Sequence, residues 1–219
     1  MKSYLILPLF LLYSCSAYEA GKIAPGYKEA FIALKGIIIG YDNEFLTRQV
    51  IDEIPFASLV LRIGKGAPGL MILESVKPNE ETWVSADGVY VLIRDGRIIK
   101  TAGLENNLSN FLSIESSMKD FIAKDEKVEQ VFYYSYDVPR LIDLKVTSVS
   151  NLIGKEKINI YDIEKELFKI EEIITNEYLG WSVKNYFWVD QEGFIWKSEQ
   201  NISPKMPTFY LEVTRKPAI

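Results

Sequence analysis

The feature that most constrains the fold is a long succession of short β-forming runs that begins after Pro55. Each run is rich in β-branched and aromatic residues, and Gly, Pro or Asp-Gly separates several of them from the next. The predicted strands are Phe56–Ile63, Gly69–Val76, Thr82–Ala86, Val89–Arg94, Arg97–Thr101, Val128–Tyr136, Leu144–Ile153, Lys157–Ile163, Leu167–Tyr178, Tyr186–Val189, Phe194–Gln200 and Phe209–Thr214. Strand-forming residues dominate too steadily for a βαβ arrangement. The sequence therefore predicts a mainly β protein, with an antiparallel sheet bent into a sandwich or half-open barrel.

Short turns between these runs predict that neighbouring strands pair in antiparallel fashion. Asp87-Gly88 and Asp95-Gly96 have the composition of two-residue type I′ turns, in which both central residues adopt positive φ. Gln191–Gly193 is a further tight turn.

Helices are predicted mainly before the strands begin. Residues 27–34 place apolar side chains at helical spacing, and a second short helix begins near Thr47 and is stopped by Pro55. We therefore expect one or two short helices near the N-terminus. A further short helix is expected within Phe111–Ile122, where the strand pattern is lost.

The N-terminal leader ends at the only cysteine of the chain. Lys2 precedes a run of about nine apolar residues, which as a helix would rise roughly 14 Å, too little to span a bilayer. Leu12-Tyr13-Ser14-Cys15 resembles a bacterial lipobox, in which the cysteine becomes the lipidated first residue of the mature protein. The alternative is that Cys15 is a chance cysteine in a cleaved leader.

The resulting domain organisation has three parts. Residues 1–14 are predicted to be a signal peptide of the lipoprotein type, and residues 15–26 a small, polar tether. Residues 27–219 are predicted to form a single β-rich domain, since no stretch within them has the composition of a linker.

Composition removes several classes of chemistry. The chain has no histidine, which excludes Ser-His-Asp and Cys-His catalysis and His-ligated zinc. Acylation of Cys15 would leave no thiol for a metal or a nucleophile. A net charge of −5 argues against nucleic acid as a partner. We predict no catalytic residues, no metal site and no cofactor.

Paired carboxylates are the catalytic groups that composition leaves open. A glycosidase needs two acids about 5–10 Å apart across a cleft, one of them with a raised pKa. The local clusters are Glu80-Glu81, Glu171-Glu172 and Asp190 with Glu192. Neighbours on a strand point to opposite faces, and acids beside a turn are usually solvated or bonded to backbone. The two acids within each cluster are therefore not expected to form a catalytic pair. A pair of acids that are distant in sequence is not excluded.

Five side chains are candidate contacts for a glycan or a partner protein. Trp83, Trp188 and Trp196 have flat apolar faces and an N–H group, which suit sugar stacking as well as they suit a core. Arg97 and Lys100 are three residues apart on one predicted strand, so they should face opposite sides of the sheet. One of the two could then contact a ligand while the other meets solvent.

The order of six short segments is similar to that of a known family. The segments are Ile54–Ser58, Thr82–Gly88, Gly96–Leu104, Tyr186–Asp190, Gly193–Gln200 and Ile202–Pro204. Together with the lipobox they resemble the YjbF/GfcB lipoproteins, which are encoded with bacterial capsule and exopolysaccharide genes. The resemblance implies a periplasm-facing lipoprotein, anchored in the outer membrane through Cys15, that assists polysaccharide export without catalysis. Ser16 after the cysteine fits sorting to the outer membrane.

Three hypotheses follow. The first is a non-catalytic lipoprotein that binds outer-membrane polysaccharide export proteins or the polysaccharide itself. The second is a periplasmic carrier that holds the acyl chains of a lipid or lipoprotein in a half-open barrel, which requires an apolar cavity of several hundred cubic ångströms. The third is a polysaccharide-modifying enzyme, which requires a cleft with convergent acids.

Overall fold

The structure, a computed structural model, describes residues 46–113 and 127–218. Its elements are α1 (Arg48–Asp52), β1 (Ser58–Ile63), β2 (Gly69–Lys77), β3 (Glu80–Ser85), β4 (Tyr90–Arg94), β5 (Arg97–Ala102), β6 (Leu108–Ser113), β7 (Val128–Tyr136), β8 (Leu141–Ile160), β9 (Ile163–Asn176), β10 (Trp181–Val189), β11 (Ile195–Gln200) and β12 (Phe209–Arg215). The leader at 1–14, the tether at 15–26 and the helix at 27–34 lie outside the described residues.

The strands form one twelve-stranded antiparallel sheet. Its order is β5-β4-β3-β2-β1-β12-β11-β10-β9-β8-β7-β6, so β1 pairs with β12 in the middle of the sheet. The two end strands, β5 and β6, follow one another in the chain and lie side by side without a ladder of backbone pairs. The sheet thereby curls into a nearly closed, barrel-like form, which confirms the predicted fold class.

Side chains supply hydrogen bonds near the gap between β5 and β6, where the two ends of the sheet meet without backbone pairing. The Gln200 amide, on β11, accepts a hydrogen bond from the Ile98 N–H at 3.0 Å and donates one to the Gly96 carbonyl at 2.8 Å. The Thr101 hydroxyl accepts a bond from the N–H of Leu108, on β6. Backbone groups at a sheet edge are thus satisfied without a further strand.

The core lies inside the curled sheet, and simple alternation determines which side chains reach it. On β7, Phe132 and Tyr134 are buried, whereas Val131 and Tyr133 are exposed on the outer face. Each fully buried apolar side chain of this kind contributes about 1.5–3 kcal/mol. The curled sheet is therefore held together mainly by its inward-facing side chains.

A bulge joins two segments that were predicted to be separate strands. Leu144–Ile153 and Lys157–Ile163 belong almost entirely to the single strand β8, whose register with β9 shifts between Leu152 and Gly154. Gly154 has φ +141°, which few other residues adopt. The glycine that suggested an end to the strand instead accommodates an extra residue within it.

The helix predictions have mixed outcomes. The helix near Thr47 is α1, and the Thr47 hydroxyl caps it by accepting a bond from the Val50 N–H. The short helix expected within Phe111–Ile122 does not include the first three residues of that range, which belong to β6. Phe111 points inward, where its ring centroid lies 5.1 Å from that of Phe132. The remainder of that range is outside the described residues. Within the described ranges, no helix has the length and apolar character needed to cross a membrane.

The two Asp-Gly turns differ from one another. Asp95 and Gly96 have φ values of +47° and +71°, as a type I′ turn requires. At Asp87-Gly88 only Gly88 has positive φ, so the predicted type I′ turn is wrong there. The Gly88 N–H bonds to the Ser85 carbonyl, and the Ser85 hydroxyl accepts a bond from the Val89 N–H. These bonds favour a three-residue loop that ends in a glycine bulge.

Candidate functional site

The five predicted contact residues occupy three different environments. Trp83 is completely buried and Trp188 nearly so. Arg97 points into the interior, Lys100 is exposed on the other side of β5, and Trp196 is half-buried at one end of the sheet. The expectation that Arg97 and Lys100 face opposite sides is confirmed. The structure does not bring the five residues together into one site.

The buried tryptophans have no ring face open to a sugar. Trp83 donates its indole N–H to Glu81 at 3.0 Å and belongs to the core. Trp188 donates to Glu156, and the ammonium groups of Lys169 and Lys197 lie 5.0 and 5.3 Å from its ring centroid. We therefore assign Trp83 to the core and Trp188 to a covered position among charged side chains.

Arg97 forms a buried ion pair with Glu172 inside the curled sheet. Both guanidinium NH₂ groups bond to the carboxylate at 2.8 Å. Glu172 accepts two further bonds, from Ser148 at 2.7 Å and from Asn185 at 2.9 Å. We call these four residues the Arg97–Glu172 cluster. The four bonds match the four acceptor positions of a carboxylate, so no capacity remains for a ligand.

The electrostatics of the cluster favour the charged forms. Burial raises the pKa of Glu172, but the charge of Arg97 and the hydrogen bonds outweigh burial, and the pKa lies below its ordinary value. The guanidinium carbon lies 4.8 Å from the ring centroid of Phe132 and 5.0 Å from that of Phe187. The cluster thus joins β5 to β8, β9 and β10, across the interior of the curled sheet, through paired charges packed between rings. We interpret it as a structural group.

A cleft opens at the end of the sheet where three turns meet. It lies between the β2–β3, β4–β5 and β10–β11 turns and has a volume of about 510 Å³. Buried apolar side chains form its floor, namely Leu59, Ile93, Ile195 and Leu211. Charged and polar side chains surround them, namely Lys77, Asn79, Glu80, Glu81, Asp95 and Lys197. Phe194 and Trp196 complete the lining, and we call this site the mouth cleft.

Trp196 is held in place within the mouth cleft. Its indole N–H donates to Asp190 Oδ2 at 2.9 Å, and Asp190 Oδ1 accepts bonds from the backbone N–H groups of Glu192 and Phe194. The ammonium of Lys165 lies 3.5 Å from the Trp196 ring centroid. Burial lowers the pKa of Lys165, and the nearby Asp190 charge opposes that effect. The turn at Gln191–Gly193, which the sequence predicts only as a tight turn, therefore fixes the orientation of the Trp196 ring.

Glu81 differs from Glu172 in being incompletely satisfied. In the described part of the chain, its carboxylate has a single hydrogen-bond donor, the Trp83 indole. Burial raises the pKa of Glu81, and the charge of Asp95 adds to the increase. A half-buried carboxylate with unused acceptor positions beside a cleft is suited to bind hydroxyl groups.

Glu171 and Glu172 separate to opposite faces as strand geometry requires, whereas Glu80 and Glu81 both line the mouth cleft. Glu171 lies outside, bonded to Lys184 and Tyr186, while Glu172 lies inside. Asp190 bonds to turn backbone and Glu192 is exposed, both as expected. Across residues 46–113 and 127–218, no group of three acidic side chains is placed to hold a metal ion.

The sequence analysis names Glu81, Glu172 and Asp190 only as members of acidic clusters, and it does not predict the contacts that the structure gives them. Glu172 has a recognisable signal, because it stands between Ile170 and Ile174 on the inward-facing side of β9. Glu81 and Asp190 carry no comparable signal. Their importance depends on which turns meet at the mouth cleft, and the order of the strands decides that.

Comparisons with known proteins identify relatives across most of the chain. A family described as "Group 4 capsule polysaccharide lipoprotein gfcB, YjbF" matches residues 31–215. The lipoprotein YjbF of Escherichia coli (strain K12) is 24% identical over 203 residues, covering 90% of this chain and 89% of that protein. The lipoprotein GfcB of the same strain is 24% identical over 159 residues, covering 68% of this chain and 72% of that protein.

A solved structure shares the fold. The crystal structure of the hypothetical lipoprotein YmcC from Escherichia coli (K12) superposes with a TM-score of 0.67 at 18% identity. The match covers 90% of this chain and 99% of that one. At this identity the likeness shows a common fold and no more.

Proposed function

This chain belongs to the YjbF family of group 4 capsule polysaccharide lipoproteins, and from that membership we propose that it assists capsule or exopolysaccharide export or assembly. It does so without catalysis, by binding polysaccharide or a partner protein of the export machinery. It is anchored in the outer membrane by lipid and faces the periplasm. The family description and the lipoprotein names of the two relatives support this proposal.

The anchor in this proposal is Cys15. Residues 1–14 are removed, residues 15–26 tether the protein, and residues 27–219 act as one β-rich domain. Each buried methylene of an acyl chain contributes about 0.8 kcal/mol, so two chains hold a protein stably where one does not. A diacylated or triacylated Cys15 therefore retains the domain at the membrane while the tether lets it reach its ligands.

The observation that carries the binding role is the mouth cleft. It combines a fixed aromatic ring at Trp196, an incompletely satisfied carboxylate at Glu81 and an apolar floor. These are the features of a recognition site, in which a few placed polar groups orient a ligand on an apolar surface. The Arg97–Glu172 cluster, in contrast, has its carboxylate saturated within the protein.

A gene deletion tests this proposal. The amount of exported polysaccharide is measured in a strain that lacks the gene and in strains complemented by wild type and by Cys15→Ala. We expect export to fall on deletion and to be restored by wild type alone. The Cys15→Ala protein should no longer be found in the membrane fraction. Unchanged export in the deletion strain, under conditions where the polysaccharide is made, would contradict the proposal.

A second candidate is the acyl-chain carrier, because the mouth cleft has the required volume. Its floor of Leu59, Ile195 and Leu211 is apolar, as an acyl chain needs. An acyl chain would, however, leave the Glu81 carboxylate without additional donors and partly removed from water. Direct binding measurements separate this candidate from the first.

A further inference from the structure

We propose that the mouth cleft binds a neutral, hydroxyl-rich segment of the polysaccharide, with a sugar ring against Trp196 and sugar hydroxyls donating to Glu81. This inference rests on the proposed function and names the ligand class and the residues that recognise it. Four observations support it: the size of the cleft, the fixed Trp196 ring, the incompletely satisfied Glu81 carboxylate and the balance of charge around the cleft.

The size of the mouth cleft suits a short oligosaccharide segment. Its volume of about 510 Å³ falls within the range of roughly 300–1,000 Å³ that is usual for small-molecule sites. It opens where three turns meet, so a chain can enter and leave without threading through the sheet. A segment in the middle of a polymer could therefore occupy it.

Trp196 offers a preorganised apolar surface. Asp190 holds its indole N–H, the Lys165 ammonium lies over the ring at 3.5 Å from the centroid, and the Phe194 ring packs against it in a T-shaped arrangement at 5.1 Å between centroids. With these contacts already made, stacking a ligand on the remaining indole surface orders few additional side-chain degrees of freedom. The C–H face of a pyranose is flat and apolar and matches such a surface, while its rim carries the hydroxyls.

Glu81 supplies the polar counterpart. It lines the same cleft and, among residues 46–113 and 127–218, accepts one hydrogen bond, from Trp83, which leaves carboxylate acceptor positions for hydroxyl donors. Asn79, at the adjacent turn, offers both donor and acceptor groups. A carboxylate and an amide around an aromatic ring can bond to a polyhydroxylated ring, whereas a hydrocarbon chain would leave them unpaired.

The charges around the mouth cleft select against a strongly charged ligand. Three carboxylates face two lysines, and the charges are partly neutralised by neighbours. Glu80 pairs with Arg94 at 2.6 Å and Lys197 pairs with Glu212 at 2.8 Å. Among the described residues neither sign strongly dominates, so those residues set up no strong field that would attract a polyanion or a polycation. Neutral sugar units fit this balance best.

Binding by isothermal titration calorimetry tests the inference. The full lipidated protein in nanodiscs is titrated with oligosaccharides made by partial acid hydrolysis of the surface polysaccharide of the strain that carries the gene. The variants are Trp196→Ala and Glu81→Gln. The matched control is Tyr178→Ala, which removes an aromatic ring that is 91% exposed in the β9–β10 turn, outside the cleft lining. Thermal unfolding of each variant is recorded in parallel.

The expected result is binding by wild type and Tyr178→Ala, with affinity roughly 10- to 30-fold weaker in Trp196→Ala. Glu81→Gln keeps an acceptor for Trp83 and a similar volume, so a loss of affinity there reports recognition rather than folding. Equal affinity in the wild type and both cleft variants would overturn the inference, as would the absence of oligosaccharide binding by wild type. A parallel titration with myristate that shows binding only of the fatty acid would also overturn it.

The two proposals fail separately. If deletion of the gene reduces export but the wild-type protein binds no oligosaccharide, the export role holds and the carbohydrate site is wrong. If binding depends on Trp196 but deletion leaves export unchanged, the carbohydrate site holds and the export role is wrong.

Discussion

Two glutamates on this sheet show how burial leads to different roles. Glu172 is fully buried, receives four hydrogen bonds and pairs with Arg97, so its negative charge is stabilised within the protein. Glu81 is half-buried and has one hydrogen-bond donor in the part of the chain that the structure describes, and its charge is disfavoured. The saturated group can only support the fold, whereas the unsaturated group has capacity for a ligand. Counting donors thus separates a structural acid from a candidate recognition acid, although both are glutamates on strands.

The largest effect is expected from breaking the interior pair. Arg97→Met leaves the Glu172 carboxylate buried without its counter-charge, which costs about 3–5 kcal/mol of unfolding free energy. Urea denaturation of wild type and variant measures the loss.

The double variant Arg97→Met/Glu172→Met sharpens this prediction. Removing both charges relieves the unpaired ion, so the double variant should be more stable than Arg97→Met alone. A double variant that is less stable than either single variant would show that the pair's role in the fold was misjudged.

An intermediate effect is expected where the β4–β5 turn approaches the sheet interior. A Cβ added at Gly96 would lie 2.2 Å from the Ile195 side chain, whereas one at Gly88 would meet nothing within 4 Å. Both glycines have positive φ, so Ala costs about 1–2 kcal/mol at either position through backbone strain. Overpacking adds about 1–3 kcal/mol at Gly96 alone. Equal losses of unfolding free energy in Gly96→Ala and Gly88→Ala would contradict the close packing of this turn.

The smallest effect is expected at Glu81, and the titrations of Glu81 and Glu172 change the stability with opposite signs. The folded-state pKa of Glu172 lies below its ordinary value of 4.5, so its stabilisation is present above that pH and is lost as pH falls through the folded-state value. The folded-state pKa of Glu81 lies above 4.5, so stability declines as pH rises through the interval between the two values. Glu172→Gln should therefore destabilise the protein at pH 7 and less so in acid. Glu81→Gln should stabilise it at pH 7, with the gain vanishing below pH 4.5.

Unfolding free energies of both variants from pH 3 to 7 check these signs. A destabilised Glu81→Gln at pH 7 would mean that the carboxylate is satisfied in the free protein, and the contrast between the two glutamates would not hold.

Much of the fold could be predicted from local sequence. The β-branched and aromatic residues of Val128–Tyr136 predict that strand with its observed bounds, and Asp95-Gly96 predicts its turn type, because both depend on neighbouring residues alone. The first three residues of Phe111–Ile122 belong to β6 and not to the short helix expected within that range, and Phe111 packs there against Phe132. A glycine in a strand-forming stretch can mark either the end of a strand or a bulge within it, and Gly154 marks a bulge.

The candidate site could be predicted only in part. Trp196 was named from its chemistry, and Trp83 was named for the same reason, yet one lines a cleft and the other lies in the core. The local sequence does not distinguish the two tryptophans, because each stands within a predicted strand. Their exposure depends on where the sheet curls and which turns meet, which follows from pairing between strands far apart in sequence, such as β1 with β12.

The most direct test of the account compares the mouth cleft with the rest of the surface in the cell. Exported polysaccharide is measured in the deletion strain complemented by Trp196→Ala or by Tyr178→Ala, with membrane levels of both proteins matched by immunoblot. We predict that Tyr178→Ala restores export and that Trp196→Ala does not. Full restoration by Trp196→Ala would contradict the assignment of the mouth cleft as the functional site.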